Sequence, residues 1–387
     1  MIEELDYTKV FKIKTNETTL YFGLNSVNKM QRYIAGYSKI GVIASRTASR
    51  KSGALGDVLK LLGDKDVYVV DGPSPNPTIH EIEEMVDKLR GRGVEALIAI
   101  GGGSVIDSSK IVDVALASNV ESRRVVTKEL EGLRHIPLFA VNLTHGTGSE
   151  VDPYAVVNLP EEKLKIGLSV IYPVASFDDP RYTLTMPHRQ IICTSIDALY
   201  HSLEAVTTKA TSPYTLTVSE EAARLIFKYL PLAVKEPGDV KHRYWLLYAS
   251  VLGGIAIDYS GVNIIHALEH GLSAVNRNLE HGCGLGIIGP ELIKKLYSET
   301  PANLYRLLRQ LSPELKPSVE SAEKAGEVLR EFQTSVGLKE NLGSYGFDVK
   351  SVKEAIESGW AIVDTREEFY KPVVTKEEAE KIFLSLL

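Results

Sequence analysis

Apolar and polar positions change rhythm about half-way along this chain. Between residues 11 and 141, short apolar runs alternate with amphipathic segments of helix length. Phe11-Lys12-Ile13-Lys14 and Thr19-Leu20-Tyr21-Phe22 flank a turn at Asn16-Glu17 and predict a hairpin. The stretches 40–45, 67–70, 96–100 and 137–141 read as strands, and 55–62 and 79–91 as helices. Apolar strands separated by helices indicate parallel βαβ units buried on both faces. Past residue 184 the period turns helical. Pro187 suits the first residue of a helix running towards Ala205, and Ser212-Pro213 starts another. Helical periodicity then covers about 239–257, 262–275, 318–335 and 349–360, with few strand signals. The expectation is α/β architecture: an N-terminal Rossmann-like parallel-sheet domain, 1–183, then an all-helical domain, 184–387, with the active site in the cleft between them.

Length supports two domains, since 387 residues exceed one simple core. A net charge of −6 argues against nucleic acid as a partner. No run of about 18 apolar residues is present, so a membrane span is not expected. The acidic start, Met1 to Asp6, lacks the profile of a signal peptide. Only two cysteines occur, Cys193 and Cys283, without CxxC spacing. Neither a disulfide framework nor a thiolate metal site is expected, and a reducing cytoplasmic setting is the default.

Two features carry chemistry. The first is a pair of glycine turns, each after an apolar strand: 99–110, with Gly101-Gly102-Gly103-Ser104, and 142–150, with Gly146-Thr147-Gly148-Ser149-Glu150. Glycine lets backbone approach a diphosphate, and free N–H groups at a helix start favour its charge. Two such turns at strand carboxyl ends frame a ligand crevice. The second feature is a set of metal-ligating side chains. Asp197 and His201 are four apart, so on a helix they are rotated by only about 40° and lie roughly 6 Å from each other. His266 and His270 repeat that geometry, and His281 follows. Four of these five side chains make a site for a cation that keeps an open position. Glu204 falls on the face of Asp197, either to orient a ligand or as a surface residue. His80, His135, His188 and His242 carry no pattern.

Pro75-Asn76-Pro77-Thr78, GGGSxxDxxK at 101–110, GTGSE at 146–150, DAxxHxxEA at 197–205 and HxxxH…HG at 266–282 occur in this order. Together they resemble the iron-containing (group III) alcohol dehydrogenases, in a superfamily with dehydroquinate synthase and glycerol dehydrogenase. The resemblance covers roughly residues 10–290. It implies that Asp197, His201, His266 and His281 hold Fe²⁺ or Zn²⁺, with His270 near nicotinamide and substrate. It implies that Gly102, Gly103 and Ser104 form the pyrophosphate turn, with Asp107 in the same run. Asn76, Thr144 and Thr147 are further cofactor contacts by the same likeness, and Lys163 the lysine beside the cofactor, with Lys165 close to it. A small alcohol or aldehyde substrate and at least a homodimer are implied too.

The chain also departs from that pattern. Leu143-Thr144-His145 replaces the usual Thr-Thr-Ala, placing an ionisable ring in a cofactor loop, where it alters nicotinamide contacts or points to solvent. The spacing from His266 to His281 is one residue longer than in diol-type members. Ser45-Arg46 stands where an aspartate excludes a 2′-phosphate, and Arg46 or Arg50 offers charge-assisted hydrogen bonds, so NADP is expected, with NAD the alternative. A sister enzyme acting on glycerol, glycerol-1-phosphate or maleylacetate is the nearer alternative function. A non-redox metal-dependent hydrolase or lyase is the remoter one, because it has no use for a dinucleotide cradle.

Overall fold

A computed structural model describes residues 9–127, 132–365 and 372–387; the acidic stretch Met1 to Asp6 lies outside them. Strands β1 (Phe11–Thr15) and β2 (Thr18–Phe22) form the expected hairpin, with Asn16 left-handed at its turn. β3 (Lys39–Ala44), β4 (Asp66–Asp71), β5 (Ala96–Gly101), β6 (Leu138–Asn142) and β9 (Ala175–Asp178) complete a seven-stranded sheet in the order β1-β2-β9-β6-β5-β3-β4. Every pairing in it is parallel except β1 with β2. β7 (Tyr154–Leu159) and β8 (Leu164–Ser169) form a separate antiparallel hairpin.

Burial on both faces explains why the strands are apolar throughout. In β5, Leu97 and Ala99 join one core, with helices α4 (Ile79–Leu89) and α5 (Gly103–Ser118). Ala96, Ile98 and Ile100 join the other, with α3 (Ala54–Leu62). The short helices α1 (Gln31–Ile34), α2 (Ala48–Lys51) and α6 (Ser122–Val126) fill connections. From β3 the chain goes to β4 on one side and returns to β5 on the other, so the strand order reverses beside the first glycine turn. In open α/β sheets a ligand crevice opens at such a reversal. Register sets Gly101, Asn142 and Asp178 level at the carboxyl edge, with Ala44 beside Ile100, one residue before Gly101.

The second half is helical: α7 (His188–Ala205), α8 (Pro213–Lys235), α9 (Val240–Ser260), α10 (Ile264–Val275), α11 (His281–Glu299), α12 (Pro301–Leu308), α13 (Ala322–Ser335), α14 (Val349–Val363) and α15 (Lys376–Leu384). α7 is buried nearly all round from Ile191 to Ala205, so its polar residues face protein on every side. The helical core also takes Leu20 and Phe22 from the N-terminal hairpin. Among the described residues no single helix is long and apolar enough to cross a membrane. One expectation about the cysteines is corrected: Cys193 and Cys283 form a disulfide, with Cα atoms 4.8 Å apart. They lie 90 residues apart in sequence, and only the crossing of α7 with α11 brings them together.

Candidate functional site

Asp197 and His201 project from one face of α7, as their spacing requires. Three imidazole nitrogens converge on one oxygen of Asp197. Nε2 of His201 lies 3.5 Å from Asp197 Oδ1, that of His266 3.7 Å and that of His281 3.5 Å. Asp197 Oδ1 and His266 Nε2 are buried and have no hydrogen-bond partner. Buried polar atoms are nearly always satisfied, so a cluster of electron-pair donors without a shared proton fits a cation.

What fixes the rings is a layer of buried carboxylates. Glu204, fully buried on α7, accepts from the N–H groups of Ile265 (2.7 Å) and His266 (3.2 Å) at the start of α10, and from His266 Nδ1. Of the two readings of Glu204, the orienting one matches this placement. Glu269, also fully buried, receives Nδ1 of His281. A carboxylate on Nδ1 fixes the tautomer and turns the Nε2 lone pair outward. The sequence reading missed Glu269, although a lone carboxylate within the apolar run 264–272 was its signal. Burial alone would raise the Asp197 carboxyl, but the imidazoles of His201, His281 and His266 around it hold it below the usual range. Burial moves His201 down to about 4 against the pull of Asp197. Burial acts the same way on His266, yet Glu204 and Asp197 push it up to about 9.

Helix contact makes this convergence possible. A Cβ on Gly282 would fall 1.8 Å from the Cys193 carbonyl oxygen, so only glycine lets α11 deliver His281 against α7. His270 is half-buried, and its ring lies 5.3 Å from that of His281, as does the ring of His266.

The glycine turns stand next to this cluster. The start of α5 has no side-chain cap, which leaves first-turn N–H groups for a ligand. A Cβ on Gly102 would lie 2.7 Å from Thr144 Cγ2, and one on Gly103 2.4 Å from Thr147 Cγ2, so the two turns pack on each other. Gly102, Ser104, Thr144 and Thr147 stay half-buried. The second turn packs on α7 at Thr194, one helical turn before Asp197. The family models match both halves: iron-containing alcohol dehydrogenase over residues 17–180, and the C-terminal region of the Fe-containing alcohol dehydrogenase family over 191–386.

The chain belongs to the iron-containing alcohol dehydrogenases.

It is 36% identical over 360 residues to the long-chain primary alcohol dehydrogenase AdhA of Thermoanaerobacter ethanolicus, covering 90% of each chain. Identity to NADH-dependent butanol dehydrogenase B of Clostridium acetobutylicum is 30%, covering 70% of this chain and 72% of that one. The crystal structure of the archaeal Red Sea brine pool alcohol dehydrogenase ADH/D1 superposes with a TM-score of 0.88 at 25% identity, over 97% of this chain and 99% of that one. The protein is thus an oxidoreductase, a metal-dependent alcohol dehydrogenase using a nicotinamide cofactor.

Within this iron-containing alcohol dehydrogenase several expected cofactor residues are placed differently. Lys163 lies in the β7–β8 turn at φ +52°, exposed and paired with Glu354 at 3.4 Å. Lys165 instead lies beside the histidine cluster: it is buried, 3.1 Å from Asn76 Oδ1 and 3.7 Å from Glu269. A turn residue and a strand residue two positions apart meet different surroundings, and spacing alone does not separate them. The Asn76 carboxamide is engaged by Lys165 and by the carbonyls of Arg277 and Leu279. Asp107 is buried and accepts the Val156 N–H at 2.9 Å, which ties α5 to β7 rather than facing the crevice; burial raises its pKa. Ser45 Oγ accepts the Ser49 N–H, and Arg46 is exposed.

His145 does not point to solvent. It is fully buried, with Nδ1 against the hydroxyls of Thr194 (3.2 Å) and Ser195 (3.1 Å), and Nε2 accepting from Arg243 at 2.9 Å. Burial and the Arg243 charge push its pKa down to about 3, so it stays neutral and anchors the second glycine turn to α7 and α9.

Proposed function

We propose that Asp197, His201, His266 and His281 hold Fe²⁺, or Zn²⁺ in its place, and that hydride moves between NADP(H) and a small alcohol or aldehyde in the cleft between residues 1–183 and 184–387. The observation that carries this is the convergence of three imidazole nitrogens on the buried Asp197, next to two packed glycine turns. A divalent cation supplies Lewis acidity towards an alcohol or carbonyl oxygen. Gly102, Gly103 and Ser104 bind the diphosphate by backbone N–H groups, and Thr144 and Thr147 line the same crevice. His270 takes the hydroxyl proton on a ring nitrogen during oxidation and returns it during reduction. Primary alcohols are the substrate class suggested by the names of two relatives, one for long-chain primary alcohols and one for butanol. Among the described residues no strand pairs with the outer edge of β1, which offers pairing with a second copy, so light scattering should exceed the 42.6 kDa of one chain.

Reduced-nicotinamide absorbance with a panel of primary alcohols and aldehydes tests the activity. Turnover that disappears on chelation and returns with Fe²⁺ is expected; no turnover with either cofactor and any metal contradicts it. The NADP(H) choice rests on Ser45 and the exposed Arg46. A specific observation favours NAD instead: Asp71, level with Ala44 at the sheet edge, pairs with Arg50 at 3.2 Å and adds a carboxylate there. The ratio of kcat/KM for the two cofactors on one aldehyde decides. NADPH should win, and Arg46→Ala should shift the ratio towards NADH. A better NADH rate, indifferent to Arg46→Ala and Arg50→Ala, would reverse the choice.

A further inference from the structure

Two residues on opposite sides of the cleft hold each other by the backbone. Asn76, between β4 and α4, donates through Nδ2 to the carbonyls of Arg277 at 3.0 Å and Leu279 at 3.3 Å. Arg277, in the loop 276–280 that ends at His281, returns the contact: Nε and Nη2 donate to the Asn76 carbonyl at 3.2 and 3.0 Å. Nη2 also reaches Ser74 Oγ at 3.1 Å and Glu81 at 3.2 Å. Asn76 sits at φ +54°, a conformation that non-glycine residues keep where their surroundings fix it.

Asn76 reaches His281 by two routes. One runs along the backbone from Leu279, two residues before the ligand. The other passes from Asn76 Oδ1 to Lys165 Nζ (3.1 Å), on to Glu269 (3.7 Å) and so to the His281 ring. The far side of the loop is tied to the helical half, where Arg189 Nε and the Tyr345 hydroxyl donate to Glu280 at 2.9 and 3.0 Å. The loop is thus gripped from both halves just before it presents a metal ligand.

We infer that Asn76 and Arg277 form a latch by which the α/β half positions the His281 imidazole, so that binding a dinucleotide and holding the metal are coupled. Asn76 and Arg277 are positioning residues, acting through the loop and through Glu269. Coupling of this kind is reciprocal, so a bound dinucleotide slows metal loss as much as bound metal tightens the dinucleotide. The inference rests on the metal assignment above.

The test loads the full chain with Fe²⁺ without oxygen and follows its release to ferrozine, with and without saturating NADPH and NADH. Wild-type protein should release iron more slowly with dinucleotide bound. Arg277→Ala and Asn76→Ala should release it roughly ten-fold faster, the low end of the ~10–100-fold that orienting partners of metal ligands contribute, and should lose the dinucleotide effect. Arg277 is 42% exposed, so its replacement leaves the fold intact, and Arg306→Ala, at 41% exposure in a remote pair with Glu220, is the control. Release from Arg277→Ala within about two-fold of wild type, or a dinucleotide effect that survives in it or is missing from wild type, overturns the latch. Wild-type protein that takes up no stoichiometric Fe²⁺ overturns the metal assignment itself, a visibly different failure.

Discussion

The two walls of the proposed site are built by opposite means. The α/β wall offers backbone and room: an uncapped helix start and two glycines with threonine side chains where Cβ atoms would stand. The helical wall offers side chains, with two of the imidazoles turned by a buried carboxylate behind them. One wall is therefore damaged by adding atoms, the other by removing them. Each substitution that respects this division sharpens the contrast, and one that crosses it breaks the contrast.

The largest effect on dinucleotide binding is expected at the glycine turn. Gly103→Ala forces a methyl into Thr147, and overpacking of about 1–3 kcal/mol should weaken dinucleotide binding roughly 10–100-fold, read by fluorescence titration. Metal content should not change, and Thr147→Ala in the same chain should restore part of the loss. Loss of metal on Gly103→Ala would break the contrast. Next comes Glu269→Gln, which keeps an acceptor for His281 but removes the charge facing Lys165. Metal affinity should fall about ten-fold, measured by competition with a chelator. Unchanged metal affinity with weakened dinucleotide would assign Glu269 to the other wall.

The smallest effect on either ligand is expected from Glu150→Gln, which acts on the pH dependence of stability instead. Burial pushes both Glu150 and Asp152 up to about 7, so between roughly pH 4 and 7 the folded chain keeps protons that the unfolded chain releases. The folded state binds more protons there, so these groups make stability fall as pH rises through that window and level off above it. Glu150→Gln should remove on the order of 2–3 kcal/mol of that fall, seen as a flatter midpoint-against-pH curve in thermal melts. A variant curve parallel to wild type would place the Glu150 titration in the ordinary range.

What was legible in the sequence was local. The i,i+4 pairs Asp197/His201 and His266/His270, the glycine turn after β5 and the N-terminal hairpin each follow from a period within one element. What was not legible depends on elements meeting. β9 is a four-residue, fully buried strand whose partners β2 and β6 are remote in sequence. Lys165 stands in β8 between half-buried apolar neighbours, and its meaning comes from Asn76 and Glu269 on other elements. His145 reads as an oddity in a cofactor loop until Arg243 is seen against it. The Cys193–Cys283 pair needs the contact of α7 and α11 at Gly282, which no spacing rule contains.

The most direct measurement is made on His201→Ala, with elemental analysis and dinucleotide titration on the same preparation. A missing ligand should leave the protein with well under one metal per chain and lower kcat/KM about 10³-fold, several kcal/mol of lost charge stabilisation. Dinucleotide binding should weaken by only a few-fold, because the backbone cradle belongs to the other wall. A His201→Ala protein with a full complement of metal and wild-type turnover would contradict the assignment of this cluster as the metal centre.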